Sequence, residues 1–148
     1  MKTTEGLIIK YTDTRMEPIL LEREGLLVTM VRYSYNLNQY QCCIRQRYDR
    51  YTHTEIINYK TLVELNKALD RMIVEANSDI ATNANFIRNK YRTEDGFIVG
   101  YDIESGVCRW YIDFCEEEYD HCRYIRSGEQ IASVLKSIQT KIERLQSK

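Results

Sequence analysis

Apolar and polar residues alternate along much of this chain, and twice the pattern switches to helical spacing. Leu7-Ile8-Ile9-Lys10-Tyr11 and Ile19-Leu20-Leu21 read as short strands, with Pro18 confining the second to an edge or a strand start. Leu26 to Tyr35 is β-branched, aromatic and apolar enough for a buried strand, and Asn36-Leu37-Asn38 makes a turn. Gln39 to Tyr48 then alternates, placing Tyr40, Cys42 and Ile44 on one face and Gln41, Cys43, Arg45 and Arg47 on the other. A third strand fits Thr52 to Asn58. Beyond it Leu62, Leu65, Leu69, Ile73 and Ala76 recur as a helical stripe, with Thr61 and Glu64 at capping-box spacing. Ile80, Ala84, Ile87 and Tyr91 extend a weaker helical spacing through a linker at 77–95.

From Gly96 the order returns. Phe97, Val99, Tyr101 and Ile103 alternate, as do Cys108, Trp110, Ile112 and Phe114, and a further strand fits Asp120 to Arg126. Ser127 and Gln130 have capping-box spacing ahead of a stripe of Ile131, Val134, Leu135, Ile138, Ile142 and Leu145. The first stripe shifted by 69 lands on the second, Ile56 lands on Ile125 by the same shift, and Gly25-Leu26-Leu27-Val28 meets Gly96-Phe97-Ile98-Val99 at a shift of 71. The pattern predicts an α+β fold: one domain over 1–148, an antiparallel sheet with amphipathic helices on one face, and βββα pseudo-repeats at about 25–76 and 96–146 joined by the helical linker. A lone unit of this kind buries too little, so the units pack together or the chain forms a homo-oligomer. The expected core is the two stripes plus Tyr40, Cys42, Ile44, Trp110, Ile112 and Phe114.

Composition narrows the function. With 43% apolar residues, few glycines and a single proline, the 148 residues suit a folded protein rather than a disordered one. The formal charge of −1 excludes a polycation, so any nucleic-acid contact must come from a local patch. The chain shows no signal-peptide pattern and no apolar run of membrane length, which points away from a membrane and to the cytoplasm. Five cysteines at unpaired-looking spacings then read as reduced thiols.

One stretch carries recognisable binding chemistry. From Arg32 to Lys60, Arg32, Arg45, Arg47, Arg50 and Lys60 are interleaved with Tyr33, Tyr35, Tyr40, Tyr48, Tyr51 and Tyr59. Arginine offers planar charged donors to phosphate and tyrosine a face for a base. In the second half Arg109 and Tyr111 share the face opposite Trp110. Arg45, Arg47 and Arg109 are therefore the expected phosphate contacts, and Tyr48 and Tyr111 the stacking platforms, of a non-enzymatic module for a nucleotide or nucleic acid. The plainer account is that tyrosine suits strands and arginine solvates them.

The opposite charge supplies an alternative. Glu116, Glu117, Glu118 and Asp120 sit where a hairpin is expected and would let a small inhibitory or adaptor protein dock on a larger protein partner. Cys115, His121, Cys122 and His53 lack the paired spacing of a zinc site, and no phosphate loop, GxSxG or HExxH occurs, so no metal, cofactor or catalytic residue is called for.

Overall fold

The computed structural model describes residues 6–47, 50–114 and 122–148. The fold is α+β, with two antiparallel sheets and two long helices. The first sheet contains β1 (Tyr11–Arg15), β2 (Ile19–Leu20), β3 (Leu26–Ser34), β4 (Gln39–Arg47) and β5 (Thr52–Asn58), followed by α1 (Tyr59–Ile80). The second contains β6 (Phe86–Arg92), β7 (Ile98–Glu104), β8 (Val107–Asp113) and β9 (Cys122–Ile125), followed by α2 (Gly128–Gln146). Strand order is β1-β3-β4-β5, with β2 also on β3, and β6-β7-β8-β9.

Two sequence expectations change. The helical linker at 77–95 does not form: α1 runs on to Ile80, and Phe86–Arg92 is a strand paired along its length with β7. Ile87 and Tyr91 satisfy a helical spacing, but Phe86, Arg88, Lys90 and Arg92 alternate with them at period two, and β7 offers an edge to pair with. The second half therefore carries a fourth strand outside the expected βββα boundaries, as the first carries β1 and β2. The first strand is also displaced, from Leu7–Tyr11 to Tyr11–Arg15, because Leu7 to Ile9 lie beyond the end of β3.

The helices begin 69 residues apart, at Tyr59 and Gly128, on caps Asn58 and Ser127. Asn58, not Thr61, caps α1, its side chain accepting the Thr61 N–H at 2.8 Å. On the strands the same offset pairs opposite faces: Ile56 is 41% exposed and Ile125 only 1%. The two hairpins differ in length, and a one-residue slip turns a strand's side chains over.

The halves are interlocked. The helices run antiparallel, with the Tyr59 hydroxyl donating to Glu143 at 2.6 Å and Lys136 paired to Asp70. α1 packs on β6, β7 and β8 of the second sheet as well as on β4 and β5 of the first, and α2 on β2, β3 and β4 of the first. Tyr101 of β7 donates to Asp79 of α1 at 2.6 Å. The sheets also join directly, through a bridge from Leu21 to Ile125 and bonds from the Glu22 N–H to Tyr124 O and the Arg126 N–H to Leu20 O. The buried side chains of both halves form one continuous core.

Ser127 caps α2 as its spacing implies, accepting the Gln130 N–H at 3.2 Å. The Gln130 side chain has a longer reach: its Oε1 accepts the Leu20 N–H at 2.8 Å and its Nε2 donates to Pro18 O at 3.3 Å, tying α2 to β2. Gln130→Ala should lower stability by about 1–2 kcal/mol, the worth of two bonds to backbone groups. Urea unfolding checks this, and an unchanged midpoint would mean that water replaces the amide.

Candidate functional site

Alternation leaves each sheet with one face on the helices and one facing away from them. Arg45 and Arg47 lie on the outer face of the first sheet, Arg45 bonded to Thr54 Oγ1 at 3.3 Å and Arg47 exposed. Arg109 and Tyr111 lie on the outer face of the second sheet. Between β4 and β8 run β3, β2 and β9, a separation of ~19 Å along the sheet at ordinary strand spacing. The four residues do not converge on one ligand. Tyr48 lies outside the described residues, as do Glu116, Glu117, Glu118 and Asp120.

Other outer-face arginines are engaged. Arg109 grips Glu22 in a two-pronged pair at 3.0 and 2.8 Å, with its guanidinium 3.6 Å from the Tyr124 ring centre. Tyr111 is 4% exposed, covered by Arg88 at 5.5 Å and packed edge-on against Tyr124, so its ring offers no open face. Burial pushes its hydroxyl pKa well up. Arg88 in turn holds Asp102 at 2.7 and 2.9 Å. On the first sheet Arg32 holds Asp13 at 2.8 and 3.1 Å and stacks on Tyr11. Such forks take two of a guanidinium's five N–H donors and neutralise its charge.

No family model matches the chain, and neither does any curated protein or solved structure. The site therefore rests on its own geometry.

Two surfaces stand out. The first is a cleft of about 730 Å³ built by three segments. The β3–β4 hairpin contributes Tyr33, Asn38, Gln39 and Tyr40; the β5–α1 junction contributes Asn58, Tyr59 and Lys60; and the end of α2 contributes Leu145, Gln146 and Lys148. The Tyr33 and Tyr40 rings pack 4.8 Å apart, and the Tyr33 hydroxyl bonds Asn38, whose left-handed backbone (φ 53°) closes the turn. Its bond to Glu143 raises the Tyr59 hydroxyl pKa. Tyr33, Tyr40, Tyr59 and Lys60 belong to the basic and aromatic stretch of the sequence. The wall from α2 comes from more than 80 residues further along and has no local sequence signal.

The second surface is the open edge of the first sheet. The Tyr35 N–H donates to Lys10 O and the Met16 N–H to Thr29 O, so the even-numbered residues of β1 bond inward, and the backbone groups of Tyr11, Asp13 and Arg15 point away from β3. Next to this edge Leu7, Ile8 and Ile9 are 72–88% exposed, and Asn36 fastens them to the β3–β4 turn by bonding Ile8 O and the Lys10 N–H. Tyr11, Tyr35 and Leu37 extend the exposed apolar cluster.

Burial pushes the thiols of Cys43 and Cys122 up to about 11, so both stay protonated at neutral pH. Among the described residues no three His, Cys, Asp or Glu side chains group closely enough to hold a metal, and no described helix is long and apolar enough to cross a membrane. Cys115 and His121 lie outside the described residues.

Proposed function

We propose that this chain is a non-enzymatic regulatory or adaptor protein that docks on a larger protein by accepting one of its extended segments along β1. One observation carries the reading: an apolar cluster of Leu7, Ile8, Ile9, Tyr11, Tyr35 and Leu37 stands exposed beside a strand edge whose outward backbone donors and acceptors pair with no other described strand. Contiguous exposed apolar patches mark interaction sites, and an open edge adds a strand through main-chain bonds that need no particular sequence. Specificity then comes from side chains. Ile9 and Tyr11 offer apolar contact at one end and the exposed Arg15 a cation at the other, so the partner segment carries apolar residues at one end and an acid at the other. The sheet-face nucleotide reading has less support, because Arg109 is paired and Tyr111 is covered.

Two variants test the docking. Arg15→Pro removes an N–H that points off the sheet, a position where an edge strand tolerates proline, and Ile9→Asp puts a charge in the apolar cluster. With thermal unfolding unchanged, each should reduce recovery of a co-purifying protein about tenfold in quantitative affinity capture, in line with the loss of a buried anchor. A binding protein recovered equally by wild type and both variants would place the interface elsewhere. Loss of self-association alone, seen by sedimentation, would make the partner a second copy of this chain.

A further inference from the structure

We infer that the cleft between the β3–β4 hairpin, the start of α1 and the end of α2 is a second, separate binding site, for a mononucleotide-class ligand combining an aromatic ring with a phosphate. Its size falls within the range of about 300–1,000 Å³ usual for small-ligand sites. Its chemistry is two-sided. Lys60 and Lys148 supply cations from different walls, and among the described lining residues there is no Asp or Glu; the Glu143 carboxylate at the rim is taken up by the Tyr59 hydroxyl and the Gln139 amide, so the lining favours an anion. Tyr33, Tyr40 and Tyr59 supply ring surface, which a purely inorganic anion leaves unused and a planar base covers. The carboxamides of Asn58 and Gln146 can donate or accept, as the edge of a base requires. Lysine is a point charge on a flexible stem, suited to a terminal phosphate whose position shifts between ligands.

The cleft is also short. It is bounded by a tight hairpin turn on one side and the Tyr59–Glu143 bond on the other, so it holds one nucleotide rather than tracking a strand. The phosphate chemistry read from the tyrosine and arginine stretch is thus moved from the sheet face to this cleft. The inference stands or falls apart from the docking edge, since the two share no lining residue.

The experiment is an amide NMR titration of the full chain with ADP, GMP, adenosine, inorganic phosphate and a single-stranded oligonucleotide. ADP or GMP should shift the amides of Asn38, Lys60 and Gln146, with adenosine and phosphate each at least about tenfold weaker, because each supplies half of the contacts. Lys60→Glu, a change at an exposed helix position that leaves the fold intact, should weaken nucleotide binding about tenfold or more, and Lys148→Glu should do the same. Any of these results overturns the assignment: no shift at millimolar nucleotide, equal binding of inorganic phosphate, or tighter binding of the oligonucleotide. Shifts that persist unchanged in both lysine variants would do so too.

Discussion

Gly128→Ala should destabilise the protein by about 3 kcal/mol, the upper end of what overpacking a filled core produces. Gly128 opens α2, and a Cβ there would sit 2.4, 2.6 and 2.7 Å from three atoms of the Trp110 indole. Trp110 cannot simply retreat. It is 8% exposed, and its ring lies 4.8 Å from that of Tyr101, which is itself fixed by bonds to Asp79 and Asn89. The clash is steric, not conformational, because Gly128 does not have a positive φ. Elsewhere in a helix the same change would stabilise by about 0.5–1 kcal/mol, so the sign itself is diagnostic. Urea unfolding of Gly128→Ala, Trp110→Leu and the double variant measures it. The double variant should be more stable than the sum of the singles predicts, by about 1 kcal/mol or more, because the smaller side chain accommodates the methyl. Additive effects would show that Trp110 is not what the methyl meets.

Glu55 should make the protein less stable as the pH rises from about 5 to 8. Its side chain is 14% exposed on the helix-facing side of β5, with His53 Nε2 at 3.5 Å and Asp95 of the β6–β7 turn as the nearby like charge. Burial, and then Asp95, push its pKa from 4.5 up to about 7. A carboxyl raised in this way binds its proton more tightly folded than unfolded. The stabilisation is complete below the unfolded value of 4.5 and is lost as the pH climbs through about 7. With solvent screening allowed for, this amounts to about 2 kcal/mol. Glu55→Gln should flatten that slope and be the more stable protein at pH 8. Parallel slopes in chemical unfolding of both proteins between pH 5 and 8 would refute the assignment.

Both predictions depend on tertiary contacts, and there the sequence stops being legible. The stripes Leu62, Leu65, Leu69 and Ile131, Val134, Ile138 are buried as their spacing implies, because a stripe needs only its own helix to be recognised. The alternation of β4 and β8 holds for the same reason, although Tyr40 is only half buried. Phe86–Arg92 misled because a short segment with Ile87 and Tyr91 four apart fits a helix and a strand equally, and only the edge of β7 decides between them. The candidate site suffered most. Alternation correctly put Arg45, Arg47, Arg109 and Tyr111 on outer faces, but it cannot tell that Glu22 reaches across to Arg109 or that Arg88 covers Tyr111. Likewise, Lys148 joins Tyr33 and Lys60 only because the helices run antiparallel.

The crossed packing of the helices bears on how the chain could be divided. α2 closes over the sheet of the first half and α1 over parts of both sheets, and the covalent link between α1 and β6 is the five-residue segment 81–85. A cut within that segment would sever no core contact. It would only exchange an intramolecular encounter, at an effective concentration of order millimolar for a short link, for a bimolecular one. The two fragments would then behave as complementary partners, each presenting the helix that the other lacks.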